Sequence, residues 1–197
     1  MKKITKLVLA FIFTAFSLQT ASAARSSMAN NNSAGLGFDI IGSYYMPTDS
    51  RFQGIGTGIA LNIKLDEGFT MGYRTEEMNV RGEDGIVATT NSVVHLQGIT
   101  AYFRTLDTES LAIDFGMWLG AATTSNLTYS GGMTSPFLEP LGRITYTSAG
   151  KLETHVVVGV GYRFIRRFNT RTPFGAGYDQ MKNFDGLDIN FGVGVMF

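Results

Sequence analysis

Cysteine is absent from this 197-residue sequence, proline occurs only four times and tryptophan once. Without cysteine the chain can form no disulfide, no thiolate metal site and no lipid-modified cysteine anchor. The sequence also has no excess of positive or negative charge, because 16 Lys and Arg residues balance 16 Asp and Glu residues. A nucleic-acid partner would need a basic surface, so this balance argues against that class of function.

Long apolar runs are scarce, and the one present lies near the start of the chain. Three lysines precede an apolar run from Leu7 to Leu18, and small residues follow at Ala21-Ser22-Ala23. About twelve residues are too few for a spanning helix, which needs about twenty. We therefore predict a cleavable secretory signal over residues 1–23 and a polar, flexible lead-in over residues 24–34. Residues 35–197 contain no comparable run, so any membrane crossing must use strands.

In the rest of the sequence, apolar residues alternate with small or polar residues, with a period of two. In one segment, the odd-numbered positions from Ile55 to Leu65 are all large aliphatic residues except Thr57, while the even-numbered positions hold Gly, Ala, Asn and Lys. The pattern predicts eight strands separated by turn signals, over residues 35–46, 54–65, 69–80, 92–106, 111–124, 137–148, 151–164 and 186–197.

Two of these strands depart from the pattern. The fourth begins with Val94 and Leu96 on the apolar face but later places Ile99 and Phe103 on the other parity, which predicts a bulge near Gly98. The sixth contains Pro140, which cannot donate a hydrogen bond to a strand ladder. We therefore expect that strand to begin at Leu141.

Connection lengths alternate between long and short along the chain. The connections after the first, third, fifth and seventh strands are long, whereas the other three have about two to four residues. This alternation predicts an all-β, eight-stranded antiparallel up-and-down transmembrane β-barrel. Both chain ends then lie on the short-turn side, which in an outer-membrane barrel is the periplasmic side.

The residues on the polar face of the strands distinguish a membrane barrel from a soluble one. A sandwich or a lipocalin-like barrel, the soluble alternatives, would turn the apolar face inward. Glycines and ten charged residues occupy the other face, which suits a narrow, crowded lumen better than the solvent-exposed surface of so small a domain. We predict that these ten residues form an ion-pair network that closes the lumen: Asp39, Lys64, Arg74, Glu76, Asp114, Glu139, Arg143, Glu153, Arg163 and Asp188.

The chain resembles the small eight-stranded outer-membrane barrels, such as the transmembrane region of outer membrane protein A and outer membrane protein X. The signal end at Ala21-Ser22-Ala23, the eight alternating segments, the loop asymmetry and the closing sequence NFGVGVMF carry this resemblance. In that family, the barrel-assembly machinery recognises a last strand that ends in an aromatic residue. The resemblance implies an assembly signal at Phe191, Val193, Val195 and Phe197.

Histidines are the first candidates for catalysis or metal binding, and there are two of them. His95 and His155 both take the polar parity, so we expect each to be a hydrogen-bonded lumen residue. Barrel deacylases of lipid A place His and Ser two positions apart on one strand, but Gln97 and Val157 stand at those positions here. We expect no catalytic residue, no metal site and no cofactor.

The last long connection is rich in arginine and aromatic residues. Arg166, Arg167 and Arg171 could pair with the phosphates of lipopolysaccharide, although an ordinary solvated loop has the same composition. Taken together, the sequence predicts a monomeric, non-enzymatic barrel of the bacterial outer membrane with an envelope-structural or surface-interaction role. Its expected partners are outer-membrane lipid, lipopolysaccharide and the barrel-assembly machinery. The alternatives are a narrow or lateral channel for small molecules and a lipid A-modifying barrel enzyme.

Overall fold

The computed structural model describes residues 35–48, 52–82, 90–108, 110–126, 129–148, 153–165 and 185–197. Eight strands follow in chain order: β1 (Gly35–Pro47), β2 (Phe52–Lys64), β3 (Phe69–Gly82), β4 (Thr90–Asp107), β5 (Leu111–Asn126), β6 (Tyr129–Thr147), β7 (Glu153–Ile165) and β8 (Gly186–Met196). Each pairs antiparallel with its neighbour in sequence, and β8 pairs with β1 to close the barrel. The prediction of an eight-stranded antiparallel up-and-down barrel is confirmed.

Two of the predicted segments, the secretory signal over residues 1–23 and the lead-in over residues 24–34, lie outside the described residues. Within the described ranges, no helix is long and apolar enough to cross a membrane.

Strand tilt follows from the register of the sheet. The row of paired residues that starts at Gly42 on β1 runs one way through Thr57, Glu77, His95 and Thr123 to Thr134 on β6. Followed the other way, it passes Phe191 and Val158 and reaches Ile144 on the same strand. A displacement of about ten residues around eight strands corresponds to a tilt of roughly 40°.

This tilt sets the height of each residue along the barrel axis. We call the end that contains Gly35 and Phe197 the lower end, and the end where β1 meets β2 the upper end. One residue along a strand changes the height by about 2.5 Å, and one step along a row from β1 toward β6 rises by about 3 Å. The outward apolar residues of β8, from Leu187 to Phe197, therefore span about 25 Å, which matches the apolar band of outer-membrane barrels.

Side chains alternate between the outside of the barrel and its interior, as the two-residue period requires. On β2, β5 and β7 the faces are those predicted: Ile59, Leu119 and Val158 are exposed, whereas Trp118 and Arg163 are buried. The apolar face is therefore the outer face, and the polar face lines the interior.

The predicted bulge near Gly98 is wrong. β4 keeps one register with β3 along its whole length, and the register shift against β5 lies lower, between Arg104 and Leu106. Val94 and Leu96 point into the barrel and are fully buried, while Ile99 points outward. The apolar residues of β4 switch from the inner to the outer face without a bulge. Its upper residues are apolar because they fill the upper interior, which is itself apolar, and its lower ones because they face lipid.

Pro140 lies within β6, which begins at Tyr129 and not at Leu141, so the expected start of this strand is also wrong. Pro140 pairs with Met117 of β5. On the other side, the pairing of β6 with β7 passes directly from Leu138 to Leu141. The missing N–H group thus interrupts one ladder locally without ending the strand.

Two paired glycines let β4 and β5 pass close together. Gly98 pairs with Gly120, and a Cβ atom on Gly120 would meet the carbonyl group of Gln97 and the Cα atom of Gly98. Gly42 on β1 offers a matched control, because a Cβ atom there would meet nothing within 4 Å.

We expect Gly120→Ala to destabilise the barrel by roughly 1–3 kcal/mol, because the added methyl group overlaps backbone atoms of a continuous ladder. Gly42→Ala should change the free energy of unfolding by less than about 0.5 kcal/mol. Equilibrium unfolding in urea of protein folded in lipid vesicles measures both. Equal midpoints for the two variants would contradict the close approach of β4 and β5.

Candidate functional site

The barrel interior is filled in three layers. The upper layer is apolar and consists mainly of Tyr45, Met78, Val80, Val94, Leu96, Ala122, Phe137 and Ile165. Below it lie five buried charged residues, here called the central cluster: Arg74, Glu76, Glu139, Arg163 and Asp188. The third layer, here called the vestibule, opens toward the lower end and contains the other five predicted lumen residues, Asp39, Lys64, Asp114, Arg143 and Glu153.

Arg163 connects the three carboxylates of the central cluster. Its Nε atom donates to Glu139 Oε2 at 2.7 Å, its Nη1 atom donates to Glu76 Oε1 at 3.4 Å, and its Nη2 atom lies 3.4 Å from Asp188 Oδ2. Arg74 donates to Glu76 Oε2 at 2.5 Å and lies 3.9 Å from Asp188 Oδ2. Two guanidinium groups therefore hold three carboxylates across β3, β6, β7 and β8.

Aromatic rings sit against both guanidinium groups. The guanidinium carbon of Arg74 lies 4.3 Å from the ring centroid of Trp118, and that of Arg163 lies 5.4 Å from Trp118 and 5.3 Å from Tyr45. Trp118 also makes an edge contact with Phe137, with the ring centroids 4.7 Å apart. These contacts join the central cluster to the apolar layer above it, so the arginines are held by cation–π attraction as well as by charge.

The central cluster follows from alternation and from small residues opposite it. Arg74 and Glu76 lie two positions apart on β3 and therefore project into the barrel together. Ser43 donates to Glu76 Oε1 at 2.6 Å. A Cβ atom on Gly56 would meet the Ser43 hydroxyl and the Glu76 carboxylate, and one on Gly161 would meet the Glu139 carboxylate. Glycine at these inward positions thus provides the volume that the charged side chains occupy.

In the vestibule, Asp114 joins two arginines. Its two carboxylate oxygens accept from Arg104 Nε at 3.0 Å and from Arg143 Nε at 2.9 Å. Arg143 also lies over the ring of Tyr102, with its guanidinium carbon 3.6 Å from the centroid. Arg104 further contacts Asp107 at 3.3 Å.

A second vestibule group is centred on Asp39. Its carboxylate accepts from His155 Nε2 at 2.6 Å and from the Asn62 amide at 2.8 Å. Lys64 and Glu153 line the same polar cavity of about 70 Å³, and neither forms an ion pair with any residue that the structure describes. Nine of the ten predicted residues are buried or half-buried inside the barrel, and Glu153 is exposed at the lower mouth. They form three separate groups, with Lys64 and Glu153 outside them, and not one network.

Sequence reasoning placed His95 in the lumen, and this is wrong. His155 is buried inside the barrel, whereas the His95 side chain is 51% exposed on the outer face. The prediction fails because Val94 and Leu96, which are apolar, were assigned to the lipid-facing side of β4, whereas both face the interior. Over the described ranges, no group of three or more metal-ligating side chains is placed to hold a metal ion.

Sequence reasoning missed the aromatic members of the site. Tyr45, Tyr102 and Trp118 are all buried, and Trp118 lies on the predicted lumen parity of β5. A rule that looked for aromatic residues on the polar parity beside arginines would have found Trp118. Tyr102 lies on the same side of β4 as Val94 and Leu96, which the sequence pattern assigned to lipid, so the pattern did not predict it as an interior residue.

Two further sets of predicted residues lie away from the interior. Phe191, Val193 and Phe197 are exposed on the outer face of β8 and Val195 is half-buried. Phe197 exchanges two backbone hydrogen bonds with Leu36, at 2.9 and 3.2 Å, and so completes the β1–β8 seam. Arg166, Arg167 and Arg171 lie outside the described residues.

No family model matches the chain, and no curated protein matches it in sequence. Its fold resembles solved structures. The N-terminal β-barrel domain of OprF from Pseudomonas aeruginosa has a TM-score of 0.52 and 10% identity, covering 84% of this chain and 100% of that one. Neisserial surface protein A has a TM-score of 0.52 and 14% identity, covering 83% of this chain and 95% of that one. At these identities the likeness concerns the fold alone.

A closed eight-stranded antiparallel sheet with an apolar outer band and a filled polar interior defines the class of small outer-membrane β-barrels. The resemblance drawn from the sequence is confirmed at the level of fold.

We expect Arg163→Met to destabilise the barrel by about 3–5 kcal/mol, because the remaining arginine cannot hold three buried carboxylates. Adding Glu139→Gln should recover part of this loss, since it removes the carboxylate closest to Arg163 Nε. Urea unfolding of wild type, both single variants and the double variant forms a double-mutant cycle. Strictly additive effects would show that the two side chains do not interact.

Proposed function

We propose that this chain is a non-enzymatic protein of the bacterial outer membrane with an envelope-structural or surface-interaction role. The observation that carries the proposal is the central cluster, which fills the cross-section of the barrel beneath an apolar layer. Eight strands leave an interior just wide enough for side chains. An interior of this kind stabilises the barrel and leaves the outer wall and the loops as the surfaces for interaction.

A narrow or lateral channel is the first alternative. An ion would have to separate the paired charges of the central cluster and then cross the apolar layer above it. Both steps are costly, because buried ion pairs lose several kcal/mol when one partner is displaced and the apolar layer offers no replacement for hydration. Permeation through the lumen is therefore disfavoured.

A lipid A-modifying enzyme is the second alternative. His95 does face outward, as catalysis on membrane lipid would require. However, Gln97 and not serine follows it two positions later on the same strand, and Glu77 is the acidic residue beside it. Without a nucleophile at that position, this arrangement does not favour acyl-ester hydrolysis.

The proposal includes two partners that the sequence suggested. The exposed side chains of Phe191, Val193 and Phe197 suit recognition by the barrel-assembly machinery, as the family resemblance implies. Contact of Arg166, Arg167 and Arg171 with lipopolysaccharide phosphate stays a prediction from the sequence.

Reconstituted protein distinguishes the three functions. In lipid bilayers we expect no stepwise ion conductance, because paired charges and apolar side chains occupy the barrel interior. In lipopolysaccharide-containing vesicles we expect no release of lipid A acyl chains, because Gln97 and not serine stands two positions after His95. Steady conductance that disappears in a variant with a covalently blocked lumen would establish the channel. Acyl-chain release that His95→Ala abolishes would establish the enzyme.

We expect Phe197→Ala to reduce the amount of assembled barrel in the outer membrane several-fold, because it removes the terminal aromatic side chain but keeps the backbone seam to Leu36. Phe103→Ala, which removes another outward phenylalanine from the lower part of the barrel, is the control. The folded fraction in outer-membrane preparations, read from heat-dependent mobility on gels, measures assembly. Equal losses in both variants would assign the effect to stability and not to recognition.

A further inference from the structure

The apolar outer band is interrupted on one side of the barrel. Polar residues lie side by side at outward positions of β2, β3 and β4, and we call five of them the polar patch: Thr57, Thr75, Glu77, His95 and Gln97. The exposed Gln53 and Asn79 continue this polar surface upward, and Thr123 of β5 borders it beside His95. Thr57 pairs with Glu77, Glu77 pairs with His95, and Thr75 pairs with Gln97. The five residues therefore form one continuous surface across three neighbouring strands.

The polar patch lies at a height where other strands are apolar. From the strand tilt and register, Glu77 lies about 6 Å above Gly42 and His95 about 10 Å above it. Leu187 on β8 and Leu138 on β6 stand at about the height of Glu77, and both face outward as exposed apolar residues. The patch thus lies on the strands at the upper boundary of the lipid-facing band, whose highest exposed apolar residue on β8 is Leu187.

Among the residues that the structure describes, the polar groups of the patch have few partners. Glu77 Oε2 lies 3.6 Å from His95 Nδ1, within ion-pair distance but too far for a hydrogen bond, and the two side chains remain 54% and 51% exposed. Gln97 accepts one hydrogen bond, from the Tyr73 hydroxyl at 3.2 Å. The free-energy cost of a charged side chain on the lipid face falls toward the boundary of the apolar band, and a polar partner that covers the charge lowers it further.

We propose that the polar patch is covered by a second copy of this chain, in a dimer whose two-fold axis runs along the membrane normal between β3 and β4. Both copies then keep the same orientation and depth, so the same patch meets itself. Glu77 of each copy faces His95 of the other at a height difference of about 3 Å. An imidazole N–H donates to a carboxylate in either protonation state of histidine, so each contact adds a hydrogen bond that the 3.6 Å contact within one chain does not supply.

Charge and shape favour a second copy over a lipid headgroup. The phosphates of outer-leaflet lipid would be repelled by Glu77, and no described residue of the patch is an arginine or lysine. Below the patch the same face is apolar, with Tyr73 and Ile99 exposed and the small Ala101 next along β4. The lower half of the contact therefore packs as an ordinary apolar surface. The inference departs from the monomer expected from the sequence, which placed His95 inside the barrel.

A single-cysteine cross-link tests the position of the interface. The sequence contains no native cysteine, so only the introduced thiol can react. Ile99→Cys places the thiol on β4 near the proposed axis, while Val160→Cys places it at nearly the same height on β7. The two side chains are similarly exposed, at 56% and 50%. In native outer membranes, a bis-maleimide that spans about 10 Å, the usual separation of packed sheets, should join two copies through Ile99→Cys and not through Val160→Cys.

Charge exchange tests what holds the interface. In the Ile99→Cys background, Glu77→Lys sets a lysine against histidine in both contacts, and His95→Glu sets two carboxylates together, so each variant alone should lose cross-linked dimer about fivefold or more. Co-expression of the two variants, carrying different tags, should restore cross-linking between them, because the introduced lysine of one copy then meets the introduced glutamate of the other. Folding of each variant is checked by heat-dependent gel mobility.

Three results would overturn the proposal. These are equal cross-linking through the Ile99 and Val160 positions, no recovery on co-expression of folded variants, and a cross-linked product whose mass shows a different protein. A change in bound lipopolysaccharide in Glu77→Lys without any effect on cross-linking would assign the polar patch to lipid instead.

Discussion

Backbone hydrogen bonding in lipid is the constraint on which this structure depends. No water reaches the hydrocarbon region, so every N–H and C=O group of a spanning strand must pair with a neighbouring strand. The β1–β8 seam, completed by the reciprocal hydrogen bonds between Leu36 and Phe197, leaves the sheet without an edge. Even Pro140, which cannot donate, is accommodated because its strand remains paired with β5 on the other side.

Closure with eight strands then decides what the interior can hold. The radius is small, so inward glycines such as Gly56 and Gly161 are needed to make room for Glu76 and Glu139. The arginines that neutralise these carboxylates are long enough to reach across the barrel, and Trp118 packs against both of them. Charge pairing, small residues and aromatic packing therefore form one solution to the problem of filling a narrow polar tube.

Because side chains fill the interior, the proposed function depends on the outer wall of the barrel. The outer wall is not uniform, because most of it presents aliphatic residues to lipid while one side presents Glu77 and His95. An uneven outer wall gives the barrel a preferred side for contact within the membrane plane, whereas the lumen supplies stability. Strand β3 contributes to both surfaces, since Arg74 and Glu76 face inward and Glu77 faces outward.

The sequence by itself determined the strand number, the antiparallel order and the faces of β2, β5 and β7, because a two-residue period and the spacing of turns are local properties of the chain. It also identified the charged residues that point inward, since their parity is opposite to that of the aliphatic ones. Only the tertiary structure decided which charges meet, because Glu76, Glu139 and Arg163 come from three strands whose relative heights depend on register around the whole barrel. It also decided the face of His95. The alternation alone cannot separate an apolar residue that faces lipid from one that fills the upper interior. The inward orientation of Val94 and Leu96 therefore follows only from the structure of the closed barrel.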